Sequence, residues 1–258
     1  VSPRFGAAGA VTSDLTIDEV LLLHTLGWEP VDMVCGAAVY SIPQGSWTWS
    51  VGEITAASQA HGQALDAAAG RIRQECRQAG GHGVIGVDIE VTVESHHVTA
   101  VLVGTAVRPT GGAQLRGEAF VSDLSTRDFA LLQRSGWAPV GLAFGASFVH
   151  VPRRSAGQTL KQQNQNVELV NFTAALYDAR ESAMERMQAE AIRCAAKGVV
   201  AVTISEGPMS FARHAIRFTA WGTAVVPGPS GHQYVRPRVV LAADDPLPAF
   251  EAAALRGE

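Results

Sequence analysis

Along this chain the spacing of apolar and polar positions changes in the same order twice. Thr16 to Gly27, TIDEVLLLHTLG, places Val20, Leu23 and Gly27 on one helical face. Thr16 with Glu19 three positions on forms a capping box, and Gly27 is placed to end the helix left-handed. Val31 to Tyr40 reads as an extended segment. Pro30 has no N–H and belongs at the strand's start or edge, while Gly36 marks a bulge, a bend or a close backbone contact. A helical stretch follows, TAASQAHGQALDAAAGRIRQECRQAGG, rich in alanine but weakened by Gly62 and Gly70. Val84–Val93 and Val98–Val107, joined by ESHH, then read as an antiparallel hairpin.

The second pass repeats the first. Ser13-Asp14-Leu15 is echoed by Ser122-Asp123-Leu124, and Gly27-Trp28, Pro30 and Gly36 by Gly136-Trp137, Pro139 and Gly145, all at a step of 109. GVIGVDI from Gly83 meets GVVAVTI from Gly198 at a step of 115. GTAVRP from Gly104 meets GTAVVP from Gly222 at 118. The growing step places the extra residues of the second copy in loops or helix ends. Its long helix is the clearer one. Within Asn166–Gly198, Leu176, Ala179, Ala183, Met187, Glu190 and Cys194 form one stripe.

The expected organisation is α+β with two duplicated small domains, 13–108 and 120–226. Each has a short helix, a strand, a long helix and a β-hairpin. Pro109–Gly117 links them, and 227–258 is a tail rich in Pro, Gly and Ala, with one docking segment at Tyr234–Leu241. Such thin domains leave strand edges that need cover, so the chain is expected to form a homo-oligomer.

Composition narrows the function. Of 258 residues, 47% are apolar, only 17% are charged, and the net charge is -4. That balance argues against nucleic-acid binding, which wants clustered Lys and Arg. The densest basic patch, Arg153, Arg154 and Lys161, is small. No run of 18 uncharged apolar residues exists, so no membrane insertion is expected. The first residues, VSPRFGAAGAV, lack the apolar core of a signal peptide. Cys35, Cys76 and Cys194 make no disulfide framework, which suits a cytoplasmic location.

Candidate chemistry is sparse. Asp88 and Glu90 share one strand face and could act as paired carboxylates in an enzyme, but the second copy has Thr203 and Ser205 there. A solvated strand face is the expected account of them. Cys35 is replaced by Phe144 in the second copy, which reads as a small buried apolar residue. GGHGVIGV lacks both the dinucleotide fingerprint and the phosphate-loop lysine.

One family matches these strings. Tyr177, Ala179, Arg180, Ala183 and Met187, then GVVAV from Gly198, together with GVIGV from Gly83 and the Gly-Thr-Ala-Val endings, resemble the YbjQ-like family. Its members carry a heavy-metal-binding label. The resemblance implies small α+β domains assembled into barrel-like pentameric rings, here five chains with two stacked rings. It also implies a possible divalent heavy metal as cofactor. His96 and His214 are the only histidines kept in register between the copies, so they are the candidate metal ligands; the His96-His97 pair is a weaker one. The expected role is a non-enzymatic oligomeric scaffold or ligand-binding module. Metal sequestration and an enzyme using the strand carboxylates are the alternatives.

Overall fold

The two short helices start as their caps dictate. In the computed structural model, which describes residues 11–48, 50–111, 117–152 and 166–228, α1 (Ile17–Thr25) is capped by Thr16 and Glu19 in a complete capping box. Its counterpart α3 (Thr126–Arg134) is capped by the Ser125 hydroxyl accepting from the Asp128 N–H. Gly27 and Gly136, at φ 75° and 80°, turn each chain out of its helix. The basic patch from Arg153 to Lys161 and the segment Tyr234–Leu241 lie outside the described residues.

The strands β1 (Trp28–Ser41) and β6 (Trp137–His150) follow. Each pairs antiparallel with the last strand of its own unit, β4 (His97–Pro109) or β8 (Ala212–Pro227). The registers match down to the irregularity after the proline, Pro30/Asp32 and Pro139/Gly141. The hairpin partners β3 (Gly83–Val93) and β7 (Gly198–Met209) complete the two sheets and also share an irregularity, Ile85/Asp88 and Val200/Thr203. The protein is therefore α+β with two similar helix–strand units.

Two-residue strands tie the units together. β2 (Gly52–Glu53) joins the edge of β6, and β5 (Phe120–Val121) adds in parallel to β3. The sheet orders are β1-β4-β3-β5 and β2-β6-β8-β7. Each sheet thus contains one short strand from the other half of the chain. Neither short strand carries a hydrophobic period, which is why the sequence reading does not contain them.

The long helices are α2 (Thr55–Ala79) and α4 (Val170–Arg193). Gly62 and Gly70 do not shorten α2, which runs 25 residues. Ten of its residues are buried. One core cluster joins its Ala57, Ala64, Leu65, Ala68 and Ile72 to Val34 and Ala38 of β1 and to Leu142, Phe144, Ala146 and Phe148 of β6. So α2 lies between the two sheets, and α4 covers the other face of β6 and β8 through Ala175, Ala179, Ala183 and Met187.

Helix and strand approach most closely at one glycine per unit. A Cβ on Gly36 would stand 2.1 Å from the Ala68 carbonyl oxygen, and one on Gly145 would stand 2.0 Å from that of Ala183. The close-contact reading of Gly36 is the one the fold uses. A third core, with Leu23, Ile85, Phe129 and Val225, holds α1 and α3 at the sheet ends. There Trp28 sits edge-on to Phe120 and Phe129, at 6.0 and 5.6 Å between ring centroids.

Candidate functional site

Among the described residues, the hairpin of the first unit builds the strongest ligand set. The Glu94 N–H donates to the His97 carbonyl at 2.9 Å, which leaves Ser95 and His96 as the two turn residues. That tight closure brings Glu94 opposite His97, with Nε2 to Oε1 at 3.8 Å. The His96 and His97 rings lie 4.6 Å apart at 64°. Glu94, His96 and His97 can each offer one ligand atom with all three atoms within 4.8 Å of one another. Two imidazoles and a carboxylate suit a borderline divalent ion with open positions for water. Glu94 and His96 are exposed and His97 is half-buried, so the cluster faces solvent. Ser95 Oγ is 3.2 Å from His96 Nδ1 and helps orient that ring.

His214 has other neighbours. Its ring stacks on His150 at 5.3 Å and 6°, and its Nε2 is 2.7 Å from the Trp47 carbonyl oxygen. The Trp47 indole N–H donates to the Ser95 carbonyl at 2.7 Å, so Trp47 stands between the first hairpin and His214. His150 is buried, and burial with the neighbouring His214 pushes its pKa down. The second hairpin has no carboxylate or second imidazole in register with Glu94 and His97. Glu94 was missed from sequence because a two-residue turn, not a helical spacing, brings it to the histidines.

The cysteines are unpaired. Cys35 is exposed, which corrects the expectation that it is buried. Its side chain points away from α2, whereas its counterpart Phe144 is buried beneath α2 of the other unit. Burial and nearby Glu75 still hold the Cys35 thiol above its usual pKa. Cys76 is fully buried, with its Sγ 3.4 Å from the Gly83 carbonyl oxygen, and burial pushes it up to about 12. Asp88 and Glu90 are exposed on an open strand face of β3, which offers no shielded setting for acid–base work. No helix among the described residues is long and apolar enough to cross a membrane.

Residues 154–227, the long-helix and hairpin part of the second unit, match the YbjQ family model, described as "Putative heavy-metal-binding". The chain is also 37% identical over 246 residues to "Encapsulin nanocompartment protein Rv1762c" of Mycobacterium tuberculosis (strain ATCC 25618 / H37Rv). That similarity covers 92% of this chain and 94% of the relative. The chain belongs to this relative's family. The family likeness therefore runs through both units, whereas the YbjQ model reaches only the second. No solved structure matches the chain significantly.

Proposed function

We propose that the chain is a non-enzymatic, self-associating, cargo-like component of a protein nanocompartment, and that it carries a divalent heavy-metal site at Glu94, His96 and His97. The observation that carries the first part is the end-to-end similarity to an encapsulin nanocompartment protein. The second rests on the three converging ligands of the hairpin. We read the chain as a tandem duplication with domains at 13–108 and 120–226, on the strength of the shared registers and irregularities. The unpaired thiols fit a cytoplasmic place of work. Five chains per assembly is the stoichiometry suggested by the family resemblance, and native mass spectrometry counts it.

Co-expression with the encapsulin shell protein of the same organism tests the reading. The chain should co-elute with shell particles on size exclusion and stay protected from added protease until the shell is opened. Elution apart from the shell, with full protease sensitivity, contradicts it.

A further inference from the structure

Within the chain, the two units cover each other through two contacts. In one, the segment before α2 adds to the edge of β6. Gly52 and Glu53 pair with His150 and Val149, the Ile54 N–H donates to the Phe148 carbonyl at 2.7 Å, and the Phe148 N–H donates to Ser58 Oγ at 3.1 Å. Arg186 binds the Glu53 carboxylate with both nitrogens, the second at 2.8 Å, and also the Ala146 carbonyl at 2.6 Å. In the other contact, β5 lies along β3, and the Ser122 N–H donates to the Val84 carbonyl at 2.9 Å.

Both contacts have counterparts at the outer surfaces of the two units that nothing among the described residues fills. Val167-Glu168-Leu169 corresponds to Gly52-Glu53-Ile54 at the step of 115. The N-caps share one conformation, φ -85° and ψ 74° at Ile54 and φ -86° and ψ 74° at Leu169. Yet Val167, Glu168 and Leu169 are exposed. Thr173 stands for Ser58, and Arg71 for Arg186. Arg71 already donates to the Ala37 carbonyl, as Arg186 does to that of Ala146.

The missing acceptor surface is β1. Its outward residues Met33, Cys35, Ala37 and Val39 are exposed, while their β6 counterparts Leu142, Phe144, Ala146 and Phe148 are buried under α2. By strand alternation Val39 turns its N–H and C=O to the open edge, where Phe148 meets Ser58 and Ile54. The β7 side is bare in the same sense. Val202 is 39% exposed against 5% for Val87, and Trp137 is 37% exposed where Trp28 is covered by Phe120 and Phe129. The residues in register with Phe120 and Phe129 are Val11 and Val20.

We infer that a second copy of this chain completes both contacts. Its Glu168–Leu169 segment adds to the Val39 edge of β1, with Glu168 on Arg71 and Thr173 on the Val39 N–H. In return, Val11–Thr12 of the chain that offers β1 lies along Gly198–Val199 of that second copy. This is strand addition with a charged clamp, between different surfaces of the two chains. Repeated, it builds a ring when the rotation closes, with both units in one continuous run and an even number of units. The inference rests on the self-association part of the proposed function and is independent of the compartment.

Sedimentation of the purified chain alone tests it. The wild type should sediment at a multiple of one chain's mass. Glu168→Lys or Arg71→Glu should weaken association at least tenfold, and Arg71→Glu with Glu168→Arg should restore it. Far-ultraviolet circular dichroism confirms that these exposed variants stay folded. Val39→Cys with Thr173→Cys, in a Cys35→Ser background, should form disulfide-linked ladders of chains. A wild type of single-chain mass overturns the inference, even if it still enters compartments. Assembly indifferent to Glu168→Lys, with no cross-linking, overturns it equally.

Discussion

Phe148 and Val39 occupy the same register position in β6 and β1, yet Phe148 is fully buried and Val39 is 64% exposed. The two units share backbone plan and helix caps. They differ in what lies against them. In the second unit α2 of the first covers the outward face of the leading strand; in the first unit nothing among the described residues does. Burying a Phe or Val side chain contributes roughly 1.5–3 kcal/mol, so a bare strand face with an open edge is a costly arrangement for a chain that stays alone.

The close approach at the glycines sets a stability test. Gly36→Ala or Gly145→Ala would drive a Cβ into a helix carbonyl, at 2.1 or 2.0 Å. Either should cost more than about 3 kcal/mol in urea unfolding. Gly70→Ala should do the reverse, since nothing lies within 4 Å of its added Cβ. It sits inside α2 and should gain about 0.5–1 kcal/mol.

Two alanines of the second unit stand where the first has glycine. Ala195 and Ala201 hold φ 54° and 52°, against 83° and 62° at Gly80 and Gly86. Left-handed backbone is unfavourable for alanine. Ala195→Gly and Ala201→Gly should each raise the unfolding free energy by about 0.5–1 kcal/mol.

These positions also show what the sequence discloses. The Thr16–Glu19 box, the Gly27 and Gly136 stops and both hairpins are local signals, and they are legible. The repeat is legible because its glycines and prolines are fixed by backbone geometry. The burial of Cys35 was misread because its partner Phe144 is apolar, but Phe144 is covered by the other unit, and no local pattern says which unit covers a face. β2 and β5 were invisible because two residues carry no period. Of the site, the histidines could be named from sequence and Glu94 could not, since a turn rather than a motif brings it in.

His61 makes the contact between units sensitive to acid. It lies in α2, 5.9 Å from the Phe148 ring, and burial with the charge of Arg217 lowers its pKa to about 4. The unfolded chain binds its proton near pH 6.5, the folded chain near 4. Stability should therefore be full above about pH 6.5 and fall as pH drops toward 4, by up to roughly 3 kcal/mol. His61→Leu, which copies Leu176 of the second unit, should flatten that dependence in thermal unfolding curves between these pH values.

Metal binding should follow the hairpin. Calorimetric titration with Zn²⁺ or Co²⁺ should show one site per chain. His96→Ala or His97→Ala should lower its affinity about tenfold or more, while His214→Ala should leave it within twofold.

Cys35 reports on the assembled state. It is exposed in the single chain, and its place under a second copy would match that of Phe144. Alkylation should be slow in the assembled wild type and faster in Glu168→Lys, read by intact mass against time.

The most direct measurement is hydrogen exchange at the Val39 amide, followed by mass spectrometry across a range of protein concentrations. A second copy that supplies Thr173 to this N–H should protect it as concentration rises, and Glu168→Lys should abolish the protection. Fast exchange at Val39 at every concentration, in a wild type that nevertheless assembles, would contradict the account.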